Sequence, residues 1–272
     1  MTTETIFKFL EQQFLAGALA LLQLAFPFFF PAPAALAPQT GVGTAVPVYS
    51  DTSTLLTYNV KHCQGGTKIA GVAAEIAATG AQIVFLQEID CGTGRAGGRD
   101  IAALLAAELD FSYAYFPTME YDGGLYGTAI LSAFPLTGAA ITPLPPTKMI
   151  EPRVLGQVDI AIGGTPVRLF VTHLSYESLL ARVAQFAVIR GALRAAPGGR
   201  FLLGGDFNVM TYAEYDQLPA VPAHGAKTAP EGISRIDNVF CGRGMALQGA
   251  RWVPTGYSDH DLVLAELALP LA

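Results

Sequence analysis

Residues 51–272 predict a single α/β domain, and three features of the chain carry that reading. Strand-like apolar runs alternate with segments of helical periodicity, some runs are apolar enough to be buried on both faces, and no second linker interrupts the stretch. TLLTYNV (54–60) opens the domain as a β-rich run, and residues 67–79 set Ile69, Val72 and Ile76 on one helical face. QIVFLQE (82–88) is almost continuously apolar, as a strand covered on both sides must be. Residues 99–109 are helical in pattern, with Ile101, Leu104, Leu105 and Leu109 apolar. Short strands follow at SYAYF (112–116), GTAILS (127–132), VLGQVDIAI (154–162) and VRLFVTHL (167–174). Residues 177–195 form the clearest helix, with Leu179, Val183, Phe186 and Leu193 opposite Arg182, Gln185 and Arg194, and Gly198-Gly199 closing it. FLLGGDF (201–207), RIDNVF (235–240), RWV (251–253) and DLVLAEL (261–267) supply the remaining strands. The stretches 142–152 and 211–234, rich in Pro, Gly and Ala, read as long loops of the kind that faces substrate.

At 272 residues, 51% of them hydrophobic, the chain can bury a full core as one domain. The formal charge is −6; Glu4, Lys8 and Glu11 are the only charges in residues 1–50, so that segment carries −1 and the remainder −5. Such a balance lacks the basic face expected of a tight duplex binder, although a local basic groove can sit on an acidic protein. Cys63, Cys91 and Cys241 make an odd count with no CxxC pair, which argues against zinc and against a disulfide scaffold. Small buried thiols are the plain expectation, with a Cys63–Cys91 bridge as the sharper alternative if their strands end side by side.

Residues 1–50 are a separate apolar segment and linker. The uncharged run FLAGALALLQLAFPFFF (14–30) fits three roles: a signal peptide, a membrane anchor, or an apolar helix packed on the domain. The first two imply an exported or membrane-anchored protein, with possible membrane association through residues 14–30; the third leaves a cytoplasmic location open.

The informative feature is where polar residues break the apolar strands. Asn59, Glu88, His173, Asp206 and Asn208 stand at or just past strand ends, Asp237 lies inside a strand, and Asp259-His260 precede the last one. Acids and histidines at such positions are costly unless paired or bound to a metal. Singly, each has a structural explanation as cap, turn or ion-pair partner; the ordered set does not.

The blocks TYNV (57–60), FLQE (85–88), GTAILS (127–132), VTHL (171–174), GGDFN (204–208), SRIDNVF (234–240) and YSDH (257–260) resemble, in order and approximate spacing, the signature of the endonuclease/exonuclease/phosphatase superfamily. The resemblance runs from about Leu55 to Leu267 and implies a four-layer α/β sandwich, two face-to-face β-sheets flanked by helices. It also implies metal-dependent in-line hydrolysis of a phosphoester, with Glu88 as main metal ligand supported by Asn59 and Asp259, a set that suits Mg2+ or Mn2+. By the same resemblance, Asp206 and Asn208 position the attacking water. His260, oriented by Asp237, contacts the phosphate or takes the water's proton, and His173 is a second histidine at the phosphate or leaving group. Thr128 stands where related bacterial chains tend to carry an amide and is read as a substrate contact. NVKHCQGG departs from the NVHHG-like stretch of relatives, leaving His62 either part of the site or a surface residue. EYDGGLYG (120–127) and EPRVL (151–155) look most like a small, often exported bacterial subgroup, in which Asp122, Glu151 and above all Arg153 face the phosphate or its head group; an ordinary surface ion pair with Glu151 or Asp159 is the equal alternative for Arg153. His224, in a Pro/Ala loop, is read as a solvent-exposed residue.

The expected partner is a phosphodiester, with a lipid or sugar-type head group ranked above nucleic acid because the charge is acidic and the loops are poor in Lys and Arg. An endo- or exonuclease comes second and a phosphomonoesterase on inositol phosphates third. A catalytically silent binding domain is the reading from another class, and it predicts broken motifs.

Overall fold

A strand with both faces covered needs a layer on each side, and the fold supplies them. The computed structural model describes residues 36–48, 52–145, 151–211, 214–215 and 236–268. Its elements, in order, are β1 (Gln39–Gly41), β2 (Thr52–Asn59), α1 (Ile69–Thr79), β3 (Ile83–Cys91), α2 (Ile101–Leu109), β4 (Ser112–Tyr121) and β5 (Gly124–Ser132). Then come β6 (Thr137–Leu144), β7 (Arg153–Ile162), β8 (Thr165–His173), α3 (Leu179–Arg194), β9 (Phe201–Asp206), β10 (Asp237–Cys241), β11 (Ala246–Val253) and β12 (Leu262–Ala268). The strands form a seven-stranded sheet, β1-β4-β5-β3-β2-β12-β11, and a five-stranded sheet, β10-β9-β8-β7-β6.

Alternation along each strand sorts side chains between layers. Leu55, Ile83, Phe85 and Ile130 of the larger sheet share one core with Val158, Leu169, Val171 and Leu202 of the smaller, so the sheets lie face to face. On the outer side of the larger sheet, Leu56, Tyr58, Val84 and Leu86 pack with Val72 and Ile76 of α1 and Ile101 and Leu105 of α2. Outside the smaller sheet, Phe170 and Leu203 meet Phe186, Ile189 and Leu193 of α3. This is the expected four-layer sandwich. Two glycines let the sheets close on bulky partners: a Cβ at Gly204 would lie 2.2 Å from the Phe85 ring and one at Gly156 2.4 Å from Phe116.

Several sequence expectations need correction. Residues 142–144, read as the start of a loop, belong to β6, where Pro143 is tolerated because β6 is an edge strand. β1, too short and too Gly/Thr-rich to register as a pattern, pairs with β4 and lies within the segment assigned to the linker. On α3 the polar side is only partly solvated: Arg194 is exposed, but Arg182 and Gln185 are each 1% exposed, whereas Leu179 is 52% exposed. Arg182 forms a bidentate pair with Glu214 at 2.6 and 3.2 Å, and Gln185 bonds Ser175 N and Pro145 O, so these two side chains tie loops rather than meeting water. Leu104, placed on the apolar face of α2, is 40% exposed. All three cysteines are free thiols, which removes the Cys63–Cys91 bridge. The run 14–30, His224 and most of the 211–234 loop lie outside the described residues; among those described, no helix is long and apolar enough to cross a membrane.

Candidate active site

The site begins as a matter of register. β8 and β9 pair in parallel with His173 opposite Asp206, and β9 and β10 pair antiparallel with Asp206 opposite Asp237. Three adjacent strands thus set His173, Asp206 and Asp237 in one row across the end of the smaller sheet. Asp206 Oδ2 lies 3.4 Å from His173 Nε2 and 3.8 Å from His260 Nε2, while Asp237 Oδ2 lies 2.7 Å from His260 Nδ1. Asn208 N donates to Asp206 Oδ1 at 3.0 Å, and Asn208 Nδ2 donates to Leu174 O at 2.9 Å, which clamps β9 to β8 just beyond the row.

Asn59 is the bridge to the other sheet. Its Nδ2 donates to Asp206 Oδ2 at 3.1 Å and to Glu88 Oε1 at 3.0 Å. Rotating the amide would aim its oxygen at two carboxylates, so the nitrogen belongs there. Its Oδ1 accepts Lys61 N at 3.2 Å. Asn59 therefore orients Glu88 and Asp206 through its amide nitrogen.

Glu88 reaches the site through a defect in β3. The register against β5 slips between Leu86 and Ile89, and Glu88 sits at φ 57°. Strict alternation would turn Glu88 toward the helices with Val84 and Leu86; the bulge takes up that position, because Ile89 packs on the helical side instead. Thr128 lies on β5 opposite this slip, 1% exposed, and its hydroxyl has no hydrogen-bond partner among the described residues. Beyond β2 the chain makes a left-handed turn: Lys61, His62, Cys63 and Gln64 hold φ of 45–49°, followed by Gly65 and Gly66 at 69° and 71°. Each non-glycine residue there costs roughly 1–2 kcal/mol. The turn hangs on the bulge through Val60 N→Gln87 O (3.2 Å) and His62 N→Glu88 O (2.9 Å), and Gly65 N donates to His62 Nδ1 at 2.8 Å. His62 is therefore a turn cap.

The remaining predicted residues fall around this core. Asp259 is half-exposed and paired with Lys61 Nζ at 2.7 Å. Ser258 Oγ donates to Asn59 O at 2.7 Å and receives His260 N at 3.2 Å, fixing the loop that carries both residues. Arg153 is 4% exposed, 2.9 Å from Glu151, with an Nε that has no partner among the described residues. Asp122 accepts Arg95 N and closes a loop. Sequence reading passed over Lys61, Ser258 and Tyr126, whose hydroxyl feels the charges of Glu88, Glu151 and Arg153. The lysine in NVKHC was the available signal, since a cation there departs from the pattern.

Environment tunes the two histidines oppositely. Burial, with the positive charges of Arg153 and His260, holds His173 well below the usual histidine range, so it is a neutral imidazole. Burial also disfavours charge on His260, but the Asp237 bond and the charges of Asp237, Asp206 and Asp259 outweigh it and lift the group to about 9. Burial and repulsion from Asp237 raise Asp206 to about 7, against the opposing pull of His260 and the Asn59 bond.

Two places could hold a cation. Asp206, Asp237 and His260 bring ligand atoms within 4.8 Å of one another, but an ion there would displace the 2.7 Å Asp237–His260 bond. Glu88 accepts one bond from Asn59 and lies in the slip that Thr128 faces from β5, and its carboxylate is the kind of oxygen ligand a hard divalent ion takes. We favour Glu88.

Comparison with known proteins agrees with this architecture. No curated protein matches the sequence. An endonuclease/exonuclease/phosphatase from Beutenbergia cavernae superposes with a TM-score of 0.63 at 20% identity, covering 80% of this chain and 72% of its own. A humanized D. rerio TDP2 gives 0.63 at 17% identity, with 80% and 99% covered. The Bacteroides thetaiotaomicron mannosyl-6-phosphatase Bt3783 gives 0.59 at 17% identity, with 79% and 99% covered. At these identities the likeness shows the fold. Residues 56–260 match the model of the Endonuclease/Exonuclease/phosphatase family, and the chain belongs to that family.

Proposed function

We propose that this protein hydrolyses a phosphodiester by direct in-line attack of water, assisted by one divalent cation at Glu88, Mg2+ first and Mn2+ as substitute. The observation that carries the reading is the Asp206 carboxylate, shared by His173, His260 and Asn59 and joined through Asn59 to Glu88. When bound, the cation neutralises phosphate oxygens and the charge developing on the leaving oxygen. Asp206, with a pKa near neutrality, accepts the proton of the attacking water as the new P–O bond forms and the ester P–O bond breaks. Asn208 N and Asn59 Nδ2 keep its oxygens aimed. His260, cationic and fixed by Asp237, meets the negative phosphoryl oxygens. Neutral His173 and the Arg153 guanidinium line the same end of the sandwich and serve the phosphate and leaving group.

For the substrate we favour a lipid-like or head-group phosphodiester. Tyr176, Leu179, Leu180 and Met210 are 52–70% exposed, and Tyr176 and Met210 follow Leu174 and Asn208 of the clamp closely along the chain, which supplies exposed apolar side chains for such a substrate. Export or anchoring through residues 14–30 would place the protein where such substrates occur. Nucleic acid is the second reading, favoured by a structural neighbour, D. rerio TDP2, seen with a single-strand DNA product.

The test is turnover of bis-p-nitrophenyl phosphate, sphingomyelin, phosphatidylinositol and plasmid DNA with Mg2+, Mn2+ or EDTA. Glu88→Ala and His260→Ala should each lose about 10³-fold in kcat/KM. Activity that survives EDTA and both substitutions sinks the mechanism. DNA nicking without lipid cleavage reverses the substrate ranking.

A further inference from the structure

His173 and Asp206 stand at the ends of β8 and β9, where the chain leaves each strand as a loop. The ladder closes with Leu174 N donating to Asp206 O at 2.8 Å, and Asn208 Nδ2 returns a bond to Leu174 O. Asn208 holds φ 50°, and from that left-handed conformation its N–H meets Asp206 Oδ1 at 3.0 Å. The aim of the Asp206 carboxylate thus depends on how the chain is held on either side of Asn208.

Beyond the ladder the two loops are joined through α3. Gln185 Oε1 accepts Ser175 N at 3.0 Å and Arg182 Nη1 donates to Ser175 O at 3.2 Å, so both backbone groups of Ser175 are held from the helix. The same guanidinium grips Glu214 through Nε and Nη2 at 2.6 and 3.2 Å. Glu214 Oε1 in turn accepts Met210 N at 2.7 Å and Thr211 N at 3.3 Å, just past Asn208. Arg182 and Glu214 are 1% and 7% exposed. Burial works against charge on Glu214, yet the bonds from Arg182 and Met210 N hold its carboxyl below the usual carboxylate range, so it stays ionised. A buried ion pair is a poor source of stability, since an apolar pair of similar volume often does as well or better. What this one supplies is a fixed link between the loops that leave the two strand ends.

We propose that Arg182 and Glu214 are positioning residues: their buried pair ties the loop after β8 to the loop after β9 and, through Asn208, holds Asp206 beside His173 in reacting geometry. The inference rests on the reading of Asp206 as proton acceptor. A pair that only stabilises the fold is the competing account.

Steady-state kinetics decide between them, on the phosphodiester that wild type turns over fastest. The variants are Arg182→Met, Glu214→Gln and Arg182→Met/Glu214→Leu, assayed where circular dichroism shows each fully folded. Both single variants leave a buried group without its partner, so their Tm should fall, and the double variant should recover much of the loss. In all three, kcat should fall about 10- to 100-fold with KM within twofold, the scale of a reacting group displaced by about 1 Å. Ile76→Val, a core variant in the helical layer outside the other sheet, should lower Tm and leave kcat within twofold. The folded double variant is decisive whatever its Tm. Its kcat within twofold of wild type, a rise in KM in place of a fall in kcat, or an equal loss in Ile76→Val overturns the positioning role and leaves the mechanism standing. Wild type without metal-dependent turnover overturns the mechanism and this inference with it.

Discussion

The His173–Asp206–Asp237 row and the Glu88–Lys61 ridge meet at Asn59, yet the backbone delivers them in different ways. The row needs only regular pairing: opposite positions on β8, β9 and β10 bring three polar side chains together, each 7% exposed or less. The ridge needs irregularity: a slipped register in β3, a positive φ at Glu88 and a left-handed turn from Lys61. A ladder tolerates little motion, so the groups proposed to handle the proton are held at fixed spacing with tuned acidities. The ridge stores conformational cost in exchange for aiming charges out of the ladder, which suits groups that must meet a cation and a phosphate.

The largest effect should come from the hub of the row. Asp206→Asn removes the proposed proton acceptor and should lower kcat about 10³-fold. Its effect on stability should have the opposite sign. The folded pKa of Asp206, about 7, exceeds the ordinary carboxylate value of 3.8, so its contribution to stability is fully present below about 4 and is lost as pH rises through 7. The variant should therefore melt higher than wild type at pH 8–9, by about 3 °C for each kcal/mol relieved, with the gap closing toward pH 5. A variant that melts lower at pH 8 would mean that Asp206 is a net stabiliser, contrary to the burial argument.

How much of this was legible follows the same division. The row was readable because β-alternation and the GGDFN and VTHL blocks fix strand ends, and a strand end in register is a position in space. Gly204 was readable as part of a motif, but its physical reason, the Phe85 ring lying against it, needed the second sheet. The ridge was harder. Glu88 could be named, but no periodicity announces that a bulge redirects it, and Lys61 was given no role in the NVKHCQGG stretch. Arg182 was misread because amphipathic reasoning sends charges outward and cannot foresee Glu214, far along the chain, as a buried partner.

A second, smaller effect separates orientation from chemistry within the row. The acid limb of kcat/KM should follow Asp206 near 7 and the alkaline limb His260 near 9, giving a bell between them. Asp237→Asn removes the bond and charge that raise His260, so its alkaline limb should move down toward the ordinary histidine value of 6.5. The accompanying loss of about 10- to 100-fold is the scale for an orienting partner. An alkaline limb that stays near 9 in the variant would mean that another group sets it.

The smallest expected effect tests the ridge from its buried side. Thr128 is 1% exposed and its hydroxyl has no partner among the described residues, so burying it costs stability unless a ligand completes it. Thr128→Val keeps the shape and removes the hydroxyl. The fold should therefore lose nothing and gain up to about 1 kcal/mol, visible as an unchanged or slightly higher Tm. If the hydroxyl is a contact to the bound phosphoester or its cation, KM should rise about fivefold with kcat within twofold, the scale of one neutral hydrogen bond. A higher Tm with unchanged KM would make Thr128 a polar residue with no part in binding. The ridge would then reduce to what the bulge and the left-handed turn present, Glu88 and Lys61 alone.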